Sequence, residues 1–445
     1  YEIMAASQSQ KELTGICWYI HSSTIYCILR PVLPGLTKIK YNLLSMDAVI
    51  RKLDNLTQSA VYDVCMVSCN GNSGGRMGRL RDPAAPFSRW IYPAHVPGKG
   101  EVGILKVLQS NVCRNHCSYC AFAAHRNTER HTLTPDELAR IYISLYRSGS
   151  VYGLFLSTGI LNDPDSSMDR MIATADLLRR RYRYTGYIHI KLLPGSSAGA
   201  VHDACMLADR VSLNLESPKL DQLTVIAPEK RKREEFLGPL KEAGRYIRAG
   251  GRVKSQTTQF VVGIGKETDA ELLNTSVYLY NRLRVFRSYF SAYQPVDSPA
   301  VQPVQDDVLL REHRLYQSDY LVREYGFSLN EMIFDRQGML PGQTDPKTAW
   351  ALMNPGFYPV EVNSADREVL LRVPGIGPAS ADRIIESRKN GKLRGPEDLK
   401  HTGAWISRAA GYLEFAGKPG GEGRYRQLEL FSRLQPPEWR KGIPT

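Results

Sequence analysis

Residues Val102–Cys120, VGILKVLQSNVCRNHCSYC, join an apolar run to three closely spaced cysteines. The run Val102–Leu108 has the composition of a buried strand. Similar runs recur further along the chain, with helical patterns between them. We predict strands at Val102–Leu108, Tyr152–Leu156, Gly186–Leu193, Arg210–Leu215, Gln259–Val262 and Val285–Tyr293, and helices such as Pro135–Arg147, Met168–Tyr182 and Asp269–Leu283.

This alternation of strands and helices predicts an α/β fold built on a parallel sheet. Six such units over residues 101–305 are too few for a complete eight-fold barrel, so we expect a partial (β/α)6 TIM-like barrel. After residue 305 the strand patterns stop. We predict a helical connector over 306–354 that begins with a helix at Asp306–Tyr325, a small all-α domain over 355–415, and a loosely ordered tail over 416–445.

The beginning of the chain has a different character. Residues 1–45 show neither helical nor strand periodicity, and we expect them to be an upstream leader that is not part of the fold. Helical spacing of apolar residues starts at Met46. A stretch rich in Gly and Pro follows, so residues 46–100 are expected to form a helix and an irregular arm.

The composition limits the class of protein. The 445 residues include 58 Lys and Arg against 45 Asp and Glu, a formal net charge of +13, which favours an anionic partner such as nucleic acid. Eight cysteines are too few for a disulfide scaffold. The most apolar stretch, Ile16–Leu36, is interrupted by His21, Arg30 and two prolines, so it does not resemble a membrane span. We expect a cytoplasmic protein with reduced cysteines.

Cys113, Cys117 and Cys120 form a C-x3-C-x2-C triplet just after the first predicted strand. Three thiolates on one loop can hold three irons of a [4Fe-4S] cluster, because soft thiolate ligands suit iron–sulfur chemistry. The fourth iron then stays open to a substrate or cofactor. The alternatives are a zinc site, with His116 as the fourth ligand, and three unrelated cysteines.

The triplet, with Tyr119 before its last cysteine, resembles that of the radical S-adenosylmethionine (SAM) superfamily. The resemblance implies that SAM binds the open iron and that an electron from the cluster cleaves SAM. The 5′-deoxyadenosyl radical so formed abstracts hydrogen from a substrate, while the protein orients and shields the cofactor. An electron donor such as flavodoxin or ferredoxin is implied as well.

The resemblance also implies SAM contacts at the ends of the strands, where barrel sites lie. Ser157, Thr158 and Gly159 match the position of the family's glycine-rich segment but depart from its usual Gly-Gly-Glu wording. No catalytic residue is assigned. The implied cofactor-binding residues are Tyr119, Ser157, Thr158, Gly159, Lys191, Ser212, Asn214, Glu216, Gly263, Gly265 and Tyr293, and the implied metal ligands are Cys113, Cys117 and Cys120.

Five further cysteines are outside the triplet, and two of them, Cys17 and Cys27, fall in the expected leader. Cys65 and Cys69 have C-x3-C spacing and would bind a metal only with additional ligands, of which the sequence shows no pair. Cys205 lies in a helical pattern and is expected to be a buried small hydrophobic residue, with a hydrogen-donating thiol as the alternative.

A second informative stretch is Leu371–Pro378, LRVPGIGP. Pro374 and Gly375 end one helix, Gly377 allows a tight turn, and Pro378 suits the first turn of the next helix. Such a turn points free amides at an anion beside a helix N-terminus. We expect DNA phosphate contacts at Gly375, Ile376, Gly377 and Ala379; the alternative is a helical hairpin that only packs.

This stretch resembles the helix-hairpin-helix motif of DNA-binding and repair proteins, with a second, degenerate unit at Gly395–Gly403. Phosphate contacts of this kind position a DNA backbone without reading its bases.

Together with the segments Tyr187–Gly195 and Ile226–Lys230, these motifs make residues 46–415 similar to a bacterial family of radical SAM proteins assigned to DNA modification or repair. The resemblance implies an enzyme acting on a base or sugar of DNA, with a uracil-DNA-glycosylase-like partner. Two other interpretations stay open: a radical SAM enzyme that modifies RNA such as tRNA, and a non-catalytic DNA-binding protein with a structural iron–sulfur cluster.

Overall fold

The computed structural model describes residues 16–21, 24–29, 43–60, 91–96, 100–293, 308–421 and 439–442. The strands are β1 (Ile16–His21), β2 (Thr24–Leu29), β3 (Ile91–Val96), β4 (Gly100–Leu108), β5 (Gly153–Ser157), β6 (Tyr187–Lys191), β7 (Arg210–Ser212), β8 (Ser255–Val262), β9 (Val285–Ala292), β10 (Ile333–Phe334), β11 (Val360–Glu361), β12 (Leu413–Phe415), β13 (Lys418–Pro419) and β14 (Arg440–Lys441). The helices are α1 (Leu43–Ser59), α2 (Pro135–Arg147), α3 (Pro164–Asp176), α4 (Ala198–Leu207), α5 (Leu220–Ile226), α6 (Glu234–Arg248), α7 (Asp269–Leu283), α8 (Val308–Glu324), α9 (Pro346–Leu352), α10 (Arg367–Leu370), α11 (Pro378–Lys389) and α12 (Ile406–Ala409).

A seven-stranded sheet, in the order β3 to β9, forms the main body. Strands β4 to β9 run parallel to one another, and β3 pairs antiparallel with β4 at one edge. Phe155 on β5 and Tyr289 on β9 belong to one small buried cluster although three strands separate them, so the sheet is curled. The six parallel strands confirm the expected partial (β/α)6 barrel.

The two faces of the sheet differ because successive side chains of a strand point to opposite sides. On the outer face, fully buried residues such as Leu105, Leu154 and Val211 join the main core with the helices. The inner face carries, beside the Phe155–Tyr289 cluster, polar residues such as His189 and Thr257, which are almost fully buried. Polar groups are therefore enclosed in the half-barrel.

The helix limits follow local capping. Thr134 and Thr268 each form a capping box with the glutamate three residues later, at the starts of α2 and α7. Both helices have the predicted limits. The helix predicted at Met168–Tyr182 begins earlier, at α3, because Asp163 accepts a hydrogen bond from the Ser166 amide at 2.8 Å. A π-helical turn at Leu177–Arg181 then ends it.

Several expected limits were wrong. Residues 16–21 and 24–29, expected to lack periodicity, form the antiparallel pair β1 and β2, and residues 91–96, expected in an irregular arm, form β3. Helix α1 begins at Leu43, before Met46. Strand β8 begins at Ser255 rather than Gln259, because polar residues such as Gln256 are buried within it. Cys65 and Cys69 lie outside the described residues.

The C-terminal part is helical, as expected, but it also contains a three-stranded sheet of β11, β12 and β13. Helix α8 leads into this part, and α10 and α11 form the predicted helical hairpin. A 3-10 helix at Pro396–Thr402 occupies the second, degenerate unit. Within the described ranges, no helix is long and apolar enough to cross a membrane.

Candidate functional site

The three cysteines of the triplet lie on the loop between β4 and α2, at the carboxyl edge of the parallel sheet. All three are free thiols; Cys117 is buried, and Cys113 and Cys120 are half-buried. A turn in which the Cys120 amide donates to the Cys117 carbonyl at 3.1 Å holds the loop compact. The thiols therefore share one partly enclosed site where ligand sites of α/β barrels are found.

Gly159 supports the cysteine loop from the neighbouring strand end. Its amide donates to the Ser110 carbonyl at 2.8 Å, and the Arg114 amide donates to the Ile160 carbonyl at 2.8 Å. A Cβ on residue 159 would lie 2.2 Å from the Val112 carbonyl oxygen, a distance that no side chain tolerates. The glycine at this position thus allows two backbones to meet. Ser157 and Thr158, also implied as SAM contacts, are buried beside it.

Arg130 holds the same loop together from inside. Its guanidinium donates to the carbonyl oxygens of Asn111, Phe122 and Ala123 at 2.7–2.8 Å, and to that of Arg126 at 3.1 Å. No sequence motif indicates Arg130. Arg130 lies ten residues after the triplet and belongs to no recognisable motif, because its hydrogen bonds depend on the path of the whole loop.

The segment Ile226–Lys230, quoted above only for its resemblance, contacts the cysteine loop directly. The Ser118 amide donates to the Ile226 carbonyl at 2.8 Å. Glu229 accepts from the His116 amide at 3.1 Å, and its carboxylate lies 2.6 Å from the His116 ring Nδ1. His116, the fourth ligand of the zinc interpretation, is therefore engaged with a carboxylate.

Lys230 places a buried cation beside the thiols. Its Nζ donates to the Tyr119 hydroxyl at 2.9 Å and lies 3.6 Å from Oε1 of Glu216. Burial lowers the pKa of Lys230, but the negative charges of Cys117 and Glu216 outweigh it, and the net pKa is raised. Burial raises the pKa of Cys120 to about 12. Lys230 therefore compensates charge when the thiols lose their protons to bind a metal.

The donor set fits an iron–sulfur cluster better than a single zinc ion. In the part of the chain that the structure describes, no three His, Cys, Asp or Glu side chains converge on one metal ion. A zinc ion needs such convergence, whereas a [4Fe-4S] cube takes each thiolate on a different iron. Three soft thiols on one loop beside a buried cation meet the requirement of a [4Fe-4S] cluster.

Unpaired polar atoms line the half-barrel below this loop. Glu216 Oε2, Thr257 Oγ1 and Gln259 Oε1 are buried and find no hydrogen-bond partner among the described residues. Buried polar atoms are nearly always paired, so three of them on one inner face indicate bound water or a polar ligand there. Glu216 also has a left-handed backbone, with φ of 64°, which costs energy for a residue other than glycine.

The other implied SAM contacts occupy different environments. Ser212 lies on the inner face, where its hydroxyl is 2.9 Å from Nε2 of His189. Asn214 is buried on the segment that follows β7, and Tyr293 is buried at the end of β9. Lys191 ends β6 and adds a second positive charge near Lys230. The structure thus brings these residues to the same edge of the sheet as the cysteines.

The backbone amides of the glycine segment after β8 are hydrogen-bonded within the protein itself. The amides of Gly263, Ile264 and Gly265 donate to the Glu267 carboxylate at 2.6–3.2 Å. Arg311 pairs with that carboxylate at 2.9 Å. The backbone amides expected near SAM are therefore engaged with Glu267, which the sequence analysis did not single out.

The predicted hairpin between α10 and α11 has the expected open end. Gly375 takes a left-handed backbone with φ of 88°, and its carbonyl accepts from the Trp405 amide at 2.8 Å. No side chain caps α11. Among the described residues, the amides of Gly377, Ala379 and Ser380 find no acceptor. Free amides at a helix N-terminus are what the predicted phosphate contacts need, and phosphate binding here stays a prediction.

Two details of the hairpin differ from the expectation. The amide of Ile376 donates to the Val373 carbonyl at 3.1 Å, and its side chain is buried, so this residue shapes the turn rather than offering a free donor. Its carbonyl accepts from Lys347 Nζ at 2.5 Å.

Cys205 is 1% exposed in the main core, as predicted for a small hydrophobic residue.

Family models match two parts of the chain. Residues 107–279 match the radical SAM superfamily, and residues 357–403 match the helix-hairpin-helix motif. The first range contains the cysteine loop and strands β5 to β8; the second contains the hairpin. No curated protein matches the sequence.

Several solved structures match parts of the chain at low sequence identity and low TM-score. The FeFe-hydrogenase maturase HydG from Carboxydothermus hydrogenoformans matches with 16% identity and a TM-score of 0.39, over 48% of this chain and 50% of that one. Methylornithine synthase matches with 16% identity and a TM-score of 0.37, over 48% and 61%. Coproporphyrinogen III oxidase from Escherichia coli, a radical SAM enzyme, matches with 15% identity and a TM-score of 0.32, over 48% and 52%. The matches thus span about half the length of most of these chains.

Proposed function

We propose that this chain, which joins a radical SAM domain to a helix-hairpin-helix motif, is an enzyme that modifies or repairs DNA. The observation that carries the proposal is the presence of two complementary sites in one chain. A three-thiol loop lies at the carboxyl edge of the half-barrel, and an uncapped helix N-terminus offers open amides in the C-terminal part.

Radical SAM enzymes use a [4Fe-4S] cluster and SAM, which together supply a 5′-deoxyadenosyl radical that abstracts hydrogen from a substrate. In this chain Cys113, Cys117 and Cys120 would hold three irons. Arg130 and the segment Ile226–Lys230 fix the loop that carries them. These contacts preorganise the thiols, as a metal site requires.

The inner face of the half-barrel orients the cofactor in this proposal. Glu216, Thr257 and Gln259 offer buried polar atoms without partners inside the described chain, which suits the ribose and amino-acid groups of SAM. The curled sheet and its helices keep water away from that face, and a radical needs such protection.

The hairpin would hold DNA through its phosphates. The free amides of Gly377, Ala379 and Ser380 meet an anion at the positive end of α11. The formal net charge of +13 favours the same partner. Such contacts position DNA without reading its sequence, and a base or sugar then reaches the half-barrel, extruded from the stack if necessary.

The proposal includes two partners. A flavodoxin or ferredoxin would supply the electron, because within the described residues only one thiol triplet is available for a redox centre. A uracil-DNA-glycosylase-like protein is the second partner, proposed from the resemblance of the sequence alone.

Deuterium transfer tests this function directly. The reduced, reconstituted protein is incubated with SAM and a perdeuterated DNA oligonucleotide, and 5′-deoxyadenosine is analysed by mass spectrometry. The expected result is 5′-deoxyadenosine that contains deuterium from DNA. A Cys117→Ala variant is the control, and it should release none.

The other outcomes identify the alternatives. Deuterium transfer from RNA but not from DNA would assign the enzyme to RNA modification. Failure to cleave SAM with an intact, reduced cluster and bound DNA would leave a DNA-binding protein with a structural cluster.

A further inference from the structure

A cleft lies beside the hairpin turn Gly375–Gly377, between that turn and helices α8, α9 and α12. Its volume is about 250 Å³, many times the roughly 30 Å³ of one water molecule. The cleft therefore admits a group the size of an aromatic ring. It opens next to the amides that the proposed function assigns to a DNA phosphate.

Two aromatic side chains at this cleft are largely exposed. Trp405 is 61% exposed and Tyr320 is 47% exposed. The Trp405 amide donates to Gly375 at 2.8 Å, so its backbone is tied to the hairpin turn. Large exposed rings beside a binding site commonly serve as contact surfaces for a flat partner. Here Trp405 and Tyr320 both line the cleft beside the hairpin amides.

The charges at the cleft favour an anion. Arg408 pairs with Asp345 and donates to the Thr348 hydroxyl at 2.7 Å, so the Asp345 carboxylate is already compensated. Lys347, almost fully buried, lies with its Nζ 4.7 Å from the centre of the Tyr325 ring and donates to the Ile376 carbonyl. When Lys347 is protonated, its positive charge is therefore not balanced by the Asp345 carboxylate, which Arg408 already pairs.

We propose that this cleft holds one unpaired nucleotide of bound DNA, with its phosphate on the hairpin amides and its base against Trp405. The inference rests on the proposed function and adds the kind of DNA that the protein prefers. A base has a flat face for the tryptophan, and its phosphate matches the amides and the cation. Stacking of bases on aromatic side chains does not depend on sequence, in keeping with a motif that does not read bases.

The test compares two fluorescein-labelled DNA duplexes that differ only in one central unpaired thymidine. Binding is measured by fluorescence anisotropy at one fixed salt concentration, because phosphate contacts depend on salt. The full-length protein should bind the bulged duplex at least about fivefold more tightly than the paired duplex. This ratio corresponds to the lower end of the free energy of base–aromatic stacking.

Single-residue variants test which side chains cause the preference for the bulged duplex. Trp405→Ala should remove this preference, so that the bulged and paired duplexes bind with about equal affinity. Tyr320→Ala should reduce it. Tyr278→Ala is the matched control, because Tyr278 is 46% exposed on α7, away from this cleft, and should change neither affinity.

Crosslinking gives a readout that does not depend on affinity. When 5-iodouracil replaces the unpaired base, ultraviolet light should link it to a peptide that contains Trp405, and mass spectrometry identifies the peptide. A crosslink elsewhere, or equal affinities for both duplexes, overturns the inference while leaving DNA binding intact.

Two further results distinguish a failure of this inference from a failure of the proposed function on which it rests. If neither duplex binds, the proposed DNA function itself fails. If an RNA with the same bulge binds more tightly than the DNA and also crosslinks to Trp405, the cleft serves RNA and the assignment to DNA is wrong.

Discussion

The cysteine loop and the hairpin turn are both candidate binding sites, but they are built in opposite ways. The loop is tied by Arg130, Gly159 and the segment Ile226–Lys230, so its donors are fixed before any ligand arrives. The hairpin keeps amides free and aromatic rings exposed. The difference fits a permanently held metal group at one site and a large, reversibly bound anion at the other.

Two buried lysines show the same contrast. Lys230 lies among Cys117 and Glu216, whose negative charges raise its pKa against the effect of burial. Burial dominates at Lys347 and, with nearby arginines, lowers its pKa to about 7. The cation in the half-barrel is therefore permanent near neutral pH. The charge at the hairpin depends on pH and on the presence of an anion.

The largest effect is expected from Lys230→Met. Glu216 would keep a buried carboxylate without its cation, which costs roughly 3–5 kcal/mol when one partner of a buried pair is removed. The reduction potential of the reconstituted cluster should also become more negative, because a nearby positive charge favours the reduced form. Chemical denaturation and a redox titration monitored by electron paramagnetic resonance measure the two effects.

Lys241→Met is the control for this change, because the Lys241–Glu234 pair is exposed and contributes at most about 1 kcal/mol. The double variant Lys230→Met with Glu216→Gln should recover most of the lost stability. If Lys230→Met changes neither stability nor potential, the compensating role of Lys230 is refuted.

A smaller effect is expected from Gly159→Ala. The new methyl group would meet the Val112 carbonyl, and backbone overpacking of this kind typically costs about 1–3 kcal/mol. The displaced loop should bind less iron on reconstitution, while DNA binding is unchanged. Iron content and thermal unfolding measure this. Gly238→Ala in α6 is the control, since nothing lies within 4 Å of its added methyl group; equal iron contents in both variants would contradict the prediction.

The smallest effect is a pH dependence at the hairpin. Lys347 faces Asp345, Arg408, Arg372 and the Tyr325 ring. A bound phosphate favours its charged form, so DNA binding takes up a proton and affinity should fall as pH rises above about 7, by no more than tenfold per pH unit. Lys347→Met should remove this slope, and Lys389→Met at the exposed end of α11 should retain it. Anisotropy titrations from pH 6 to 9, roughly one unit below to two units above the pKa of Lys347, measure these slopes. Equal slopes in the two variants would disprove the predicted role of Lys347.

The same pKa has a consequence for stability. The folded value, about 7, lies below the ordinary 10.5, so between these values the unfolded chain binds one more proton than the folded chain. The free energy of unfolding should therefore rise with pH through this window, and the contribution of Lys347 should be flat below it.

Much of the fold was predictable because its signals are local. Apolar runs and helical periodicity located β4 to β9 and the limits of α2 and α7, and capping boxes fix the starts of both helices in the structure. The strands β1, β2 and β3 were missed, and β8 was predicted too short. Each of these depends on a partner strand or on buried polar residues, which no local pattern records.

The sequence by itself determined the chemistry of the two sites: three thiols at fixed spacing, and a glycine turn before an uncapped helix. Short spacings are enough for this, because the loop and the turn each lie within a few residues. Only the tertiary structure brought Lys230 to Tyr119, Gly159 to Val112 and Trp405 to Gly375. These pairs are far apart in the chain, and their contact follows from the curling of the sheet and the packing of the hairpin.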